Sequence, residues 1–104
     1  VIFALGCEPG GYPIIENPSS HDVTIYVTVI STDGPLEKPN EPINYGTVQA
    51  QSTKELAAIV FPNRTWVHRI QAKNPSGEVV FSQDYKMADM EKIGWKIVIP
   101  PLQN

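Results

Sequence analysis

The chain has 104 residues, a net charge of −3, and charged side chains at only 18% of its positions. Its eight lysines and arginines are scattered, which disfavours nucleic acid and anionic membrane surfaces as partners because both attract clustered basic residues. One cysteine cannot form an internal disulfide, and ten prolines disfavour long helices. No apolar stretch approaches the ~18 residues that span a bilayer. These features predict a mostly β domain.

The first feature along the chain is an apolar run that ends in Gly6 and is followed by Cys7. A small residue directly before a cysteine resembles the cleavage site of bacterial lipoproteins, in which the cysteine becomes the lipidated first residue. The pattern departs from that site at Ala4, where leucine is usual, and at Leu5, where a smaller residue is more frequent. The resemblance implies a lipid attached to Cys7 and an extracytoplasmic location.

Two interpretations of residues 1–11 stay open. They are the remnant of a signal segment with a tether, or they contain the first strand of the fold, in which case Cys7 is an ordinary small packing residue. Residues 12–104 are predicted to form a single β-sandwich domain. A cytoplasmic location also stays open, and contact with a membrane is expected only through a lipid on Cys7.

Alternating β-branched residues predict the strands in the first half of the domain. Residues 12–16 are predicted as a strand that is closed by the turn-forming residues 17–20. The strongest signal is 23–30, where valine and isoleucine occupy every second position and threonine or tyrosine lies between them. This segment is predicted to be a central strand, and 44–49 is predicted as another strand.

Residues 33–42 contain three prolines and four charged side chains without periodicity, which predicts a protruding polar loop. β-Sandwiches present functional residues on their loops, so this segment is a candidate recognition loop. The alternative is a solvated connection between strands. The candidate recognition residues are Asp33, Glu37, Lys38 and Glu41.

The segment 52–61 carries two conflicting signals. Ser52 and Glu55 have the spacing of a helix-capping box. The β-branched and aromatic residues 59–61 favour a strand instead. We expect a strand at the end of this segment, and the helical alternative stays open.

The Asn-Pro-Ser-Gly sequence at 74–77 is a strong turn signal and predicts a hairpin of 66–73 with 78–85. A ladder that closes on this turn places apolar residues together on one face and opposite charges together on the other. The predicted partners are Lys73 and Glu78, Ala72 and Val79, Ile70 and Phe81, His68 and Gln83, and Trp66 and Tyr85.

The last part of the chain predicts a short helix and a final strand. Residues 87–93 can form one or two helical turns, with Gly94 as the helix stop, and 95–99 is predicted as a strand. About seven short strands with at most one short helix predict an all-β, immunoglobulin-like two-sheet sandwich. The Cys–Trp–Cys pattern of antibody domains is missing, so the prediction concerns the architecture alone.

His68 is the main candidate for a ligand or acid–base residue. The predicted register places its ring on the apolar face opposite Gln83, whose amide can hydrogen-bond a ring nitrogen and select the tautomer. A histidine in this position is usually structural. The functional alternative is a small enzyme or metal-binding domain centred on His68 and Gln83, joined by Cys7 or His21.

Other chemistry finds little support in the sequence. His21 and Asp22 are consecutive, whereas a catalytic triad is built from residues that converge in space. A blue-copper site needs two histidines and a cysteine, and Cys7 is at the wrong end of the chain for the usual ligand cluster. Zinc-ligand spacing and phosphate-binding glycine loops do not occur. We therefore expect no catalytic residue, metal ligand or cofactor, with enzymatic activity left open.

The sequence thus predicts a small extracytoplasmic binding or structural module, attached to a membrane through Cys7. Its expected partner is another envelope protein or a surface ligand, contacted by the 33–42 loop or by exposed sheet faces. One alternative is the small enzyme centred on His68, and another is a cytoplasmic accessory domain that needs a partner at a sheet edge. An exposed apolar or aromatic patch near a loop would favour the module. A pocket that joins His68 to a second polar group would favour the enzyme.

Overall fold

The computed structural model describes residues 12–32, 41–59 and 61–100. These residues form seven strands and one short helix, in two sheets that share a core. The elements are β1 Ile14–Asn17, β2 Val23–Ser31, β3 Ile43–Val48, β4 Ser52–Glu55, β5 Val67–Lys73, β6 Val79–Tyr85, α1 Met87–Lys92 and β7 Lys96–Val98. The described part of the chain is an all-β two-sheet sandwich, so the predicted fold class is confirmed.

The strand order is β4-β1-β7 in the smaller sheet and β3-β2-β5-β6 in the larger sheet. Neighbouring strands are antiparallel, except that β1 and β7 are parallel. β2 lies between β3 and β5, which confirms it as a central strand. This strand order differs from that of constant-type immunoglobulin domains, where the first, second, fifth and fourth strands share one sheet.

The core lies between the two sheets. The residues that β2 contributes to it are the alternating apolar residues that the sequence predicts. Val23, Ile25 and Val27 are buried, while Thr24 and Tyr26 are half-buried on the outer face of the sheet. Fully burying one such aliphatic side chain stabilises a fold by about 1.5–3 kcal/mol. The remaining buried hydrophobic residues are Ile15, Val48, Leu56, Ile59, Phe61, Ile70, Ala72, Tyr85, Met87, Met90, Ile97 and Ile99.

The predicted helix is present as α1, which contributes Met87 and Met90 to the core. The Asp89 carboxylate accepts a hydrogen bond from the Lys86 N–H at 2.8 Å and so satisfies a free donor of the first turn. Gly94 has a φ of +66°, a left-handed conformation that glycine adopts readily. Its N–H donates to the Glu91 carbonyl, which ends the helix where the sequence predicts.

The expectation for 52–61 is wrong in its position. The strand is β4, at the beginning of the segment, where Ser52 pairs with Asn17 and Glu55 pairs with Ile14. Ile59 lies in the part that was expected to form a strand. It is buried but belongs to no strand. Pairing with β1 therefore overrides both the local helix signal and the β propensity of the later residues, because it satisfies the backbone of β4.

The predicted register of the β5–β6 hairpin is also wrong. Asn74 Oδ1 accepts hydrogen bonds from the N–H groups of Ser76 and Glu78, and the Asn74 N–H donates to the Glu78 carbonyl. Asn74 therefore faces Glu78 rather than Gly77, and Val80 lies at a β-bulge. Beyond the bulge, each pair is displaced by two residues from the prediction.

This displacement changes the surroundings of His68. Its partner on β6 is Tyr85, whereas Gln83 lies opposite Ile70 and is exposed. The prediction that His68 faces Gln83 is thus incorrect. The prediction that His68 lies on the core face is confirmed, since only 3% of the residue is exposed.

A buried asparagine joins two connections at one end of the sandwich. Asn17 is fully buried, and its Nδ2 donates to the carbonyl oxygens of His21, Val48 and Gln49 at 2.8, 3.1 and 3.2 Å. Its Oδ1 accepts from the hydroxyl and the N–H of Ser19 at 2.7 and 3.1 Å. The polar end, as we name it, comprises residues 17–22 and 48–51.

Among the residues described, no helix is long and apolar enough to cross a membrane.

Candidate functional site

The fold does not bring together those predicted site residues that lie in the described part of the chain. Cys7, Asp33, Glu37 and Lys38 lie outside the described residues. The remaining three are separated: Glu41 is exposed just before β3, Gln83 is exposed on β6, and His68 is buried on β5.

A cleft of about 190 Å³ opens at the end of the sandwich opposite the polar end. There β2 approaches its last residue, while β3 and β5 begin. The candidate recognition loop connects Ser31 to Ile43, so it leaves and re-enters the described fold at this same end. The aromatic cleft, as we name it, is lined by Val27, Val29, Ile43, Tyr45, Ile59, Pro62, Trp66 and His68.

The His68 ring forms the floor of the cleft and is held by other rings. The ring centroids of Phe61 and His68 are 4.1 Å apart, and the planes meet at 31°. The ring centroids of Trp66 and His68 are 6.4 Å apart. Trp95 meets Phe61 edge-on at 5.7 Å. Such ring pairs stabilise a fold by about 0.5–1.5 kcal/mol beyond area burial, so the floor of the cleft is a packed aromatic cluster.

The connection from β4 to β5 forms one wall of the cleft and is tied down at several points. The Asn63 side chain accepts hydrogen bonds from the N–H and hydroxyl of Thr65. The Asn63 backbone carbonyl accepts a hydrogen bond from the Trp66 N–H. Arg64 makes a two-pronged ion pair with Glu91 of α1, at 2.9 and 3.0 Å. These contacts position Trp66 at the rim without occupying the cleft.

The electrostatics around the cleft are modest. Burial raises the pKa of the Tyr85 phenol opposite His68, and the Asp89 carboxylate raises it further. Hydrogen bonds from Arg64 lower the pKa of Glu91, with a further contribution from its positive charge. Both groups of this ion pair are exposed, so they stabilise the wall only weakly.

The described lining is mainly apolar and aromatic. Among its described residues, the polar groups are the Tyr45 phenol, the Trp66 indole N–H and the His68 ring, without a carboxylate or thiol beside them. A general base acting on a substrate normally has a nucleophile or a second polar group within reach. Within the described ranges, no three histidine, cysteine, aspartate or glutamate residues are grouped as metal ligands would be.

A second, more open concavity of about 430 Å³ lies between the edge strands β3 and β4. Its charged groups already serve the fold. The Asp22 carboxylate accepts a hydrogen bond from the Ala50 N–H at 2.9 Å, and Lys54 Nζ donates to the Thr47 carbonyl at 3.4 Å. We therefore take the aromatic cleft, whose lining includes the exposed Ile43, as the candidate site.

Comparisons with protein-family models, with curated proteins and with solved structures find no match to this chain. The candidate site therefore rests on its geometry.

Sequence reasoning found His68 but missed the rest of the cleft. Tyr45 lies in the segment 44–49, which is predicted as an ordinary strand, and Ile43, which is 55% exposed, lies just before that segment. The usable signal was the position of the aromatic residues: Tyr45 follows the candidate loop closely, and Trp66 lies directly before β5. Large apolar residues beside a loop at a strand start are common in binding surfaces.

Proposed function

We propose that this protein is a protein-binding module, and that its aromatic cleft receives one large apolar side chain of a partner. The observation that carries this proposal is the combination of an exposed apolar rim with an aromatic floor. The exposed Ile43 and the half-buried Trp66 supply the rim, and His68 backed by Phe61 supplies the floor. Tryptophan and tyrosine are enriched among residues that dominate binding energy at interfaces.

The size of the cleft selects the kind of ligand. Pockets for drug-sized molecules and cofactors usually measure about 300–1,000 Å³, whereas this cleft measures about 190 Å³. An apolar cavity of about 150 Å³ holds one benzene molecule. The cleft therefore suits a single ring-sized group, such as a tryptophan or phenylalanine side chain at the centre of a protein interface.

The proposal is tested by NMR titration of the isotopically labelled protein with N-acetyltryptophanamide as the probe. We expect saturable shifts of the Tyr45, Trp66 and His68 signals. Ile43→Ser should weaken binding about tenfold or more, because it removes apolar contact from the rim. Val98→Ser is the matched control, since Val98 is 49% exposed on β7 and does not line the cleft. Equal loss in both variants, or shifts spread over the whole surface, would contradict the proposal.

We further propose that the module is extracytoplasmic and is attached to a membrane through a lipid on Cys7. The support is the resemblance of the first seven residues to a lipoprotein cleavage site. Mass spectrometry of the protein produced in bacteria from its full-length gene tests this point. We expect a diacylglycerol modification that Cys7→Ser abolishes, whereas an unmodified Cys7 within an intact leader sequence rejects it.

A further inference from the structure

Three tripeptides in the chain place serine or threonine two positions after an asparagine, and they begin at Asn17, Asn63 and Asn74. This spacing is the acceptor pattern for N-linked glycosylation, provided that the middle residue is not proline. Proline follows Asn17 and Asn74, whereas Arg64 follows Asn63. The sequence therefore leaves Asn63 as the one candidate acceptor.

The structure also distinguishes Asn63 by its side-chain nitrogen, the atom that bonds to the sugar. Asn17 is fully buried, and its Nδ2 donates to three backbone carbonyl oxygens. Asn74 Nδ2 donates to the Glu78 carboxylate at 3.0 Å. The Asn63 side chain instead accepts two hydrogen bonds through Oδ1, from the N–H and the hydroxyl of Thr65, both at 3.2 Å. Among the described residues, no hydrogen bond uses the Asn63 Nδ2, so that nitrogen is available to react.

The tripeptide that begins at Asn63 lies on the surface, in the connection from β4 to β5. Asn63, Arg64 and Thr65 are all exposed, and none of them belongs to a helix or a strand. Arg64 pairs with Glu91 of α1, but both side chains are exposed, and such surface ion pairs contribute little stability. The tripeptide can therefore bend away from the surface into the active site of an enzyme without breaking a strand ladder or exposing the core.

A glycan on Asn63 would lie beside the aromatic cleft without filling it. Pro62 and Trp66, which flank the tripeptide, line the cleft, whereas the three residues of the tripeptide do not. An N-linked glycan is bulky and hydrophilic, so it stays in solvent rather than entering an apolar lining. Glycosylation at this position is therefore compatible with the binding of an apolar side chain in the cleft.

We propose that Asn63 is an acceptor site for N-linked glycosylation. Its Nδ2 attacks the anomeric carbon of an oligosaccharide that is carried on a polyisoprenyl pyrophosphate. The new C–N bond forms as the bond from that carbon to the pyrophosphate oxygen breaks. The pyrophosphate leaves with the electron pair, and the amide loses one proton. This transfer takes place on the side of a membrane away from the cytoplasm, so in the cell it rests on the proposed extracytoplasmic location.

The test incubates the folded full chain with a purified single-subunit oligosaccharyltransferase and a polyisoprenyl-pyrophosphate-linked oligosaccharide. Mass spectrometry of the intact protein and of its peptides should find one glycan per chain, attached to Asn63. Asn63→Gln should abolish the modification. Thr65→Val removes the hydroxyl at nearly constant size and should lower the initial rate at least about a hundredfold, because the enzyme recognises that hydroxyl by hydrogen bonding. Thr65→Ser keeps the hydroxyl and should retain most of the rate.

The controls come from the chain itself. Peptides that contain Asn17 and Asn74 are internal references in the same digest and should stay unmodified. A synthetic peptide of residues 61–67 separates recognition of the sequence from access in the fold. If the peptide is modified and the intact protein is not, or if neither is modified, the proposal is overturned. Because the purified reaction does not depend on where the chain lies in a cell, this outcome is distinct from the absence of a lipid on Cys7.

Discussion

The two ends of the sandwich are closed by different chemistry. At the polar end, the Asn17 side chain binds Ser19 and three backbone carbonyl groups. At the other end, the rings of Phe61 and His68 pack together beneath the aromatic cleft. Hydrogen bonds are directional and fix the connections that they join, whereas ring contacts tolerate a gap beside them. This difference explains why the concave surface at the aromatic end is lined mainly by apolar and aromatic side chains, whereas the concavity beside the polar end is lined mainly by polar ones.

The largest effect is expected from Asn17→Asp, which breaks the polar end. The variant replaces a donating amide by a carboxylate that faces the same carbonyl oxygens, so it should destabilise the fold by roughly 4 kcal/mol at neutral pH. Protonation of the buried carboxyl group restores a donor, so the loss should shrink as the pH falls. Urea unfolding at neutral and acidic pH measures both effects. Ser20→Asp, an exposed neighbour, is the control and should change little; equal losses in the two variants would refute a role for burial.

Phe61→Ala breaks the floor of the aromatic end. Phe61 is 8% exposed, so its truncation should cost about 3 kcal/mol and release the His68 ring from its stacked position. Thermal unfolding measures the first effect, and loss of the ring-current shift of the His68 protons measures the second. Phe61→Leu keeps most of the volume and should cost less than about 1.5 kcal/mol. An unchanged His68 spectrum in the alanine variant would show that the stacking does not hold the ring.

Gln51→Gly sharpens the comparison at the polar end. Gln51 has a φ of +57°, a left-handed conformation that strains a residue with a side chain. Glycine relieves this strain but loses more entropy on folding, so we expect a net stabilisation of about 0.5 kcal/mol. Gln49→Gly, at an exposed position without a positive φ, should destabilise instead. Chemical unfolding measures the free energy of unfolding of both variants. If it changes in the same direction in both, strain at Gln51 is excluded.

The smallest effect concerns pH at the aromatic end, where exposed ion pairs brace the structure. Hydrogen bonds from Arg69 lower the pKa of Asp84, with a further contribution from its charge. Because the folded pKa is lowered, this stabilisation is present above the ordinary aspartate pKa of about 3.9 and is lost as the pH falls through the folded value. Carbon-13 titration of the carboxyl groups should detect it. Arg69→Gln should return the pKa of Asp84 towards its ordinary range. If Asp84 of the native protein already titrates in that range, the pairing with Arg69 is disproved.

Local patterns predicted much of the fold and little of the site. The alternation of Val23, Ile25 and Val27 identified the central strand, and Gly94 marked the end of the helix. His68 was recognised as a core residue. Trp66 and Ile43 were not recognised as its neighbours in a cleft, because that proximity depends on how β3 and β5 flank β2.

The sequence by itself determined the class of the fold, because the alternation of apolar residues and the turn-forming residues act over a few neighbouring positions. The folded structure decided the hairpin register, in which the Asn74 side chain accepts a hydrogen bond from the Glu78 N–H and a bulge at Val80 displaces the pairs that follow. It also decided the burial of Asn17, whose hydrogen bond to Val48 spans 31 positions of the chain. A polar side chain can be buried when backbone groups distant in the chain form hydrogen bonds with it, and a local sequence pattern does not indicate which groups these are.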